Sequence, residues 1–507
     1  MSARVYLRNL AFNWGGHAAT LVVMFFLSPY IVGKLDVVSY GIWSLLNVLT
    51  GYMGIFDLGV RASIGRHVAL YLGKEDSVGV DETIRAGFGF FSLAGLLILL
   101  AGVGLGWLFP SIFEGVSPEY YDTVRILLPL MAVNVWLSAV AAIYSSVLAG
   151  HDRFDVARGV DVVVLVVRTL GTIYVLENGW GLWGLVVAVL CGNVCAVFCN
   201  RIYAGRVHKL LRSFPFLYSK ERLGELFGYG VPAAISNSAI KIIGQSNLVV
   251  VGLILGIDSV REYNVGAMLI LYTFTFIKLI GRTFFPSIQK SISAGRDGEA
   301  RHLFFRQIRV SLIAGLVVYL GYFFYSKPFI RLWMLQDNFD LTSVHSSAQV
   351  MSVLALANLP ILFTSPCKGY LAAQGFVKFN AAISILEALV SVLLSVVFAL
   401  VFHYGLAGVA AGTLVGRLLI SSILMPYHLS KNSKIRIGKF VKEAVVPGVL
   451  SGGLFSFLSF SLINLWSPMS WAVFFLQITI LLVLWIPIFY FFLLPEEYKR
   501  RKICASC

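Results

Sequence analysis

The runs AAISNSAIKIIGQSNLVVVGLILG (residues 233–256) and GAMLILYTFTFIKLIG (residues 266–281) decide how this chain is read. Both are apolar enough to lie in a bilayer, yet the first carries Lys241, the second Lys278, and neither contains an acid. An ammonium at mid-bilayer costs about 2.5–3.5 kcal/mol on insertion scales, so such residues usually face a protein interior or a watery cavity. In a helix Asn237, Lys241 and Gln245 fall at i, i+4 and i+8 and form one polar stripe. That stripe is the expected wall of a cavity that prefers negative charge.

The rest of the chain agrees. Its 507 residues are 58% hydrophobic and 13% charged, with a mean hydropathy of +0.83. That balance excludes a soluble domain and requires an all-α integral membrane protein; a β-barrel would show short alternating segments instead of long apolar runs. Arg4 and Arg8 precede an apolar run to Ile31 that is long enough to span and lacks a small-residue cleavage site, so it reads as an uncleaved first helix. Cys191, Cys195 and Cys199 share one face of an expected span and read as small packing residues. Cys504-Ala-Ser-Cys507, a single CxxC on the tail, is assigned no role.

Cutting at charged and turn-rich breaks gives fourteen apolar stretches, centred near Met24, Leu46, Leu97, Val135, Leu165, Ala188, Ala239, Leu269, Leu316, Leu356, Leu389, Val415, Leu454 and Leu482. Each has the roughly 20 residues that a hydrocarbon core of about 30 Å demands. Lys and Arg crowd one side: the N-terminus, the connections holding Arg61 to Arg85, Arg153 and Arg158, Arg201 to Arg222, Arg282 to Arg309, Lys368 and Lys378, Lys431 to Lys442, and the tail from Lys499. Only Lys34, Arg125, Arg261, Lys327 and Arg331 fall on the other. This asymmetry predicts both termini in the cytoplasm and a multi-pass protein of the cytoplasmic membrane. Topology and lipid headgroup contact account for the net charge of +15, with no nucleic-acid partner required.

The chain also repeats. Asn178-Gly-Trp-Gly-Leu-Trp-Gly-Leu-Val-Val-Ala returns as His403-Tyr-Gly-Leu-Ala-Gly-Val-Ala-Ala-Gly, and Val147-Leu-Ala-Gly-His-Asp-Arg-Phe resembles Tyr370-Leu-Ala-Ala-Gln-Gly-Phe-Val. The expected division is an N-lobe of helices 1–6 (1–215), a C-lobe of helices 7–12 (216–430), and helices 13–14 with a basic tail (431–507). Six spans is an even number, so the repeats share an orientation, and a site between them could work by alternating access.

Several polar residues fall within the spans. The second helix carries Asn47, Thr50, Asp57 and Arg61 at helical spacing, and Asp57 and Arg61 stand close enough to pair. Arg168 lies deep in VVVLVVRTLG; Asn380, Ser384, Glu387 and Ser391 share one face of helix 11; helix 12 has Thr413, Arg417 and Ser421. Arg168, Lys241, Lys278 and Arg417, with Asn237 and Gln245, form the expected substrate-binding set. Two bland alternatives stand beside this: Lys278 snorkelling toward the interface near Arg282, and Arg417 pairing with Glu387. Glu387 and Asp57 are structural partners or carboxylates for H+ or Na+ coupling.

The string Phe56-Asp57-Leu58-Gly59-Val60-Arg61, the run Lys34 to Trp43, the Gly-Leu-Trp-Gly and Gly-Leu-Ala-Gly turns and Phe285-Pro286-Ser287-Ile288 occur in an order that resembles the polysaccharide transporter branch of the multidrug/oligosaccharidyl-lipid/polysaccharide exporter superfamily. The resemblance covers roughly residues 5–428. It implies a two-lobed flippase with a cationic cavity, moving polyprenyl-diphosphate-linked sugar repeat units across the bacterial inner membrane alongside glycosyltransferases and a polysaccharide polymerase. The two helices after Lys442 depart from twelve-span members and are similar to what lipid II flippases carry.

The chemistry fits that cargo. A diphosphate head needs fixed donors in place of its water; Arg offers a planar fork and Lys a compact charge. A multidrug cation antiporter would want acids in the cavity. A polysaccharide synthase subunit would not need bare cations in its spans, and the loop Lys327 to His345 offers no catalytic signature. The absence of GxxxxGK[ST], HExxH or metal-spaced Cys/His clusters leaves no expectation of ATP drive, metal or cofactor.

Overall fold

The computed structural model describes residues 3–113, 115–209, 211–214, 216–433 and 435–488, with side chains described except at 3–14, 17–18 and 229–244. The described elements are helical, apart from a single bridge between Gln336 and Phe339. In chain order they are α1 (Ala3–Lys34), α2 (Val37–Met53), α3 (Val60–Gly73), α4 (Ser77–Ile112), α5 (Tyr121–Gly150), α6 (Phe154–Glu177), α7 (Gly181–Val207), α8 (Lys220–Ile254) and α9 (Asp258–Ser293). There follow α10 (Asp297–Met334), α11 (Leu341–Asn358), α12 (Ile361–Ala373), α13 (Val377–Leu400), α14 (Gly405–Leu419), α15 (Ser421–Asn432), α16 (Ile437–Phe440), α17 (Val446–Leu465) and α18 (Trp471–Ile488).

Each of the fourteen expected centres falls on a helix. Among the described residues nine helices are long and apolar enough to cross a membrane, or ten if α11 and α12, bent by 41°, form one span. Pro360 explains that bend: it precedes α12 and has no N–H to continue the ladder of α11.

The expectation of one continuous second helix is corrected. α2 stops at Met53, a 3-10 turn covers Gly54–Asp57, and Leu58 and Gly59 are left-handed (φ 46° and 74°) before α3 starts. The physical reason is local. Gly59 adopts a positive φ at little cost, and Asp57 Oδ1 accepts from the Arg61 backbone N–H (2.9 Å), which begins a new helix instead of extending the old one.

The chain forms two compact units, residues 1–245 with 256–260, and residues 246–255 with 261–507. The core of unit 1 is built on α3, α4 and α5 around Val60, Ile64, Ile84, Ile143 and Tyr144. The segment after α7 is strapped across it: Arg212 N–H donates to Asp81 Oδ1 (2.9 Å), Tyr144 and Ser213 hydroxyls meet at 2.7 Å, and Phe88 packs against Phe214 and Phe216. In unit 2 Gly412 and Gly416 of α14 face Ser395 and Ser391 of α13, leaving no room for a Cβ. Small residues in this register let membrane helices approach closely.

Candidate functional site

In unit 1 the central charge is Arg168 on α6. Its Nη2 donates to Asn193 Oδ1 of α7, and Asn193 Nδ2 donates to the side chain of Asn134 on α5 and to its backbone carbonyl (3.3 Å). Gly192 supplies the notch, since a Cβ there would collide with the Arg168 side chain. Among the described residues no carboxylate pairs with Arg168 and its Nε has no hydrogen-bond partner. Asp161, on the same helix, is taken by Arg158 at 2.8 Å. Amides fix where the guanidinium points and leave its charge intact.

Asp57 and Arg61 are balanced locally, with Oδ2 to Nε at 3.5 Å, and border a small crevice with Phe56, Gly95, Val135 and Trp136. Gln245 lies against Gly51 of α2, its Oε1 buried without a partner. The side chains of Asn237 and Lys241 lie outside the described residues.

Unit 2 holds a second node of different balance. Arg417 on α14 donates through Nε to Glu387 Oε1 of α13 (2.9 Å) and through Nη1 to Ala357 O (2.8 Å) and Asn358 Oδ1 (3.0 Å). Both residues sit where α11 ends, so the guanidinium caps the Ala357 backbone carbonyl in the last turn of α11 and also holds the Asn358 side chain. Glu387 Oε2 accepts from Ser421 and lies 3.4 Å from Lys368 Nζ. Glu387 and Arg417 side chains are 4% and 8% accessible, Lys368 30%. Asn247 spans Tyr263 (2.7 Å) and Thr413 (2.8 Å) one turn away on α14. Lys278 rests over the Phe274 ring at 4.1 Å, inside α9, which continues well past Arg282.

The two nodes are related copies. Gly181 and Gly405 open the repeated turn, a shift of 224 positions (405 − 181). The same shift takes Asn134 to Asn358, Gly192 to Gly416 and Asn193 to Arg417. Each node is therefore built from the same three helices of its repeat, with the cation moved from the fifth helix in unit 1 to the sixth in unit 2, opposite a carboxylate.

Sequence reasoning missed Lys368, placing it in a basic connection when it lies inside α12. It also missed Asn134, Asn193 and Asn358 as holders of the arginines. The repeat shift was the available signal, because it pairs Asn193 with Arg417.

Two helical units, each folding a polar node among apolar helices long enough to cross a membrane, define a multi-pass membrane protein. The chain belongs to the MurJ family, whose sequence model, described as lipid II flippase MurJ, matches residues 72–481. A Shigella flexneri protein described as a candidate O-antigen transporter is 22% identical over 433 residues, covering 83% of this chain and 97% of that protein. Two solved structures share the fold. An inward-facing multidrug resistance MATE transporter of the MOP superfamily has a TM-score of 0.68 at 14% identity, covering 82% of this chain and 94% of its own. Lipid II flippase MurJ in an inward closed conformation has 0.59 at 16%, covering 96% and 100%. The resemblance drawn from the Asp57 string and the repeated turns is thus borne out for the superfamily and its lipid-linked flippase branch, and the chain is a transporter rather than an enzyme.

Proposed function

We propose that this chain flips a polyprenyl-diphosphate-linked oligosaccharide, a polysaccharide repeat unit, across the bacterial cytoplasmic membrane by alternating access, with fourteen spans and both termini in the cytoplasm. The observation that carries this reading is Arg168: a guanidinium within a membrane-spanning helix, aimed by two amides and neutralised by none. Such a group is costly unless it meets an anion, and a diphosphate is the anion that a planar fork recognises. The MurJ family match and the O-antigen transporter relative support a lipid-linked glycan as cargo. A cationic drug would be repelled by the same charge.

Both oxygens of Glu387 are occupied by Arg417, Lys368 and Ser421, which argues against that carboxylate as a carrier of H+ or Na+. Direction then comes from the membrane potential: with the cytoplasm negative, each negative charge carried outward gains about 2.3 kcal/mol per 100 mV. The test is reconstitution of the full chain in proteoliposomes. Flipping of an undecaprenyl-diphosphate-linked oligosaccharide, accelerated by an inside-negative potential and not accompanied by uptake of a cationic dye, is the expected result. Dye transport without lipid flipping would overturn it.

A further inference from the structure

Lys368 is the charged side chain of the unit 2 node left unused by the reading above. Its Nζ donates to Ser384 Oγ (3.1 Å) and stands 3.4 Å from Glu387 Oε2, and its backbone carbonyl accepts from Asn380 (2.7 Å). Of the three charged side chains of this node it is the most accessible, at 30% against 4% for Glu387 and 8% for Arg417. One carboxylate serves two cations here, and unequally. Arg417 holds Glu387 at 2.9 Å and has two further acceptors, whereas Lys368 holds it at 3.4 Å and has one. Lys278 lies within electrostatic range of both Lys368 and Arg417, and no carboxylate pairs with it among the described residues. The buried Arg417–Glu387 pair is neutral, and the more accessible Lys368 is the cation in excess.

We propose that Lys368 binds a phosphate oxygen of the diphosphate head by exchanging it for Glu387. While the site is empty, Glu387 acts as a resident stand-in anion that keeps the ammonium paired and aimed. When the diphosphate arrives, Lys368 turns to it and Glu387 keeps Arg417 and Ser421. One charge-assisted bond replaces another, so neither loading nor release leaves a buried charge unpaired. A grip formed by exchange is moderate by construction, which suits a carrier that must let go. This inference rests on the lipid-diphosphate reading above.

The test uses the full chain in nanodiscs, with undecaprenyl diphosphate as ligand and inorganic pyrophosphate as soluble competitor, against Lys368→Gln and Lys368→Arg. Lys368→Gln is expected to weaken lipid binding about 10- to 100-fold, the usual range for a charged hydrogen bond, with an undiminished unfolding temperature because Glu387 retains Arg417. Lys368→Arg should bind within about threefold of the wild type, since it keeps the donor and the charge. Pyrophosphate should displace the lipid; failure to displace it puts the contact elsewhere on the lipid and overturns the proposal. So does wild-type affinity in Lys368→Gln, or a loss of binding that accompanies unfolding and is not rescued by Lys368→Arg. A wild type that binds no undecaprenyl diphosphate overturns this inference and the cargo reading together, whereas a wild type that binds and a Lys368→Gln that binds equally overturns the exchange alone.

Discussion

Arg168 and Arg417 occupy related nodes of a repeated architecture and are handled in opposite ways. Unit 1 gives its arginine a chain of amides, Asn193 and Asn134; unit 2 gives its arginine a buried carboxylate, a helix end and Asn358. Placing a cation among apolar helices costs the same kind of desolvation in both, but among the described residues it is unit 2 that sets a carboxylate in direct contact with its arginine. The difference teaches how one scaffold can serve two ends: the paired arginine holds the end of a bent helix, and the one without a carboxylate is the group proposed to meet a ligand.

The largest effect should come from breaking the pair. Glu387→Ala strands Arg417 and Lys368, and a loss of about 3–5 kcal/mol is expected, read as a fall in unfolding temperature of the purified chain. Glu387→Gln with Arg417→Gln should be more stable than Glu387→Ala, because it leaves only the more accessible Lys368 without its carboxylate, and not the buried Arg417. A Glu387→Ala protein as stable as the wild type would dissolve the contrast between the nodes.

Next in size is a change that makes unit 1 imitate unit 2. Asn193→Asp sets a carboxylate beside Arg168, and flipping in proteoliposomes should fall about 10- to 100-fold, on the scale of one charged hydrogen bond, with the unfolding temperature held. If flipping persisted, neutralising Arg168 would not matter. Gly192→Ala sharpens the same point sterically. Its Cβ meets the Arg168 side chain, and overpacking of this kind costs about 1–3 kcal/mol, measurable by thermal unfolding.

The smallest effect lies in the strap of unit 1, outside the spans. His208, just beyond α7, is 5% accessible, its ring 5.7 Å from that of His151. Burial first, then His151, push its pKa below the ordinary histidine value, against an opposing pull from Asp81. The folded form thus binds the proton more weakly than the unfolded chain, so stability is complete above the usual histidine pKa of about 6.5 and declines as pH falls through it. His208→Gln should flatten that slope in unfolding scans between neutral and acidic pH.

Much of this was legible in the sequence because hydropathy is additive along a helix: each apolar centre falls on a helix, and Arg168, Lys278, Glu387 and Arg417 were visible as charges in spans. The break at Leu58–Gly59 was not, because a helical period continues in the letters while Asp57 caps a new helix in space. Lys368 was mistaken for part of a basic connection because it stands near a turn, Gln374 to Phe376, and only the fold brings α12 against Ser384 and Glu387. The choice between a free and a paired Arg417 needed the distance across α13 and α14, which no spacing along one helix supplies.

The most direct measurement compares initial rates of lipid-linked oligosaccharide flipping by the wild type, Arg168→Ala and Arg168→Lys, reconstituted at equal density and shown to be folded. Arg168→Ala should lose at least about tenfold, on the scale of one charged hydrogen bond, with Arg168→Lys in between, since it keeps the charge and loses the fork. Equal rates in all three would contradict the claim that an unneutralised guanidinium in unit 1 receives the anionic head.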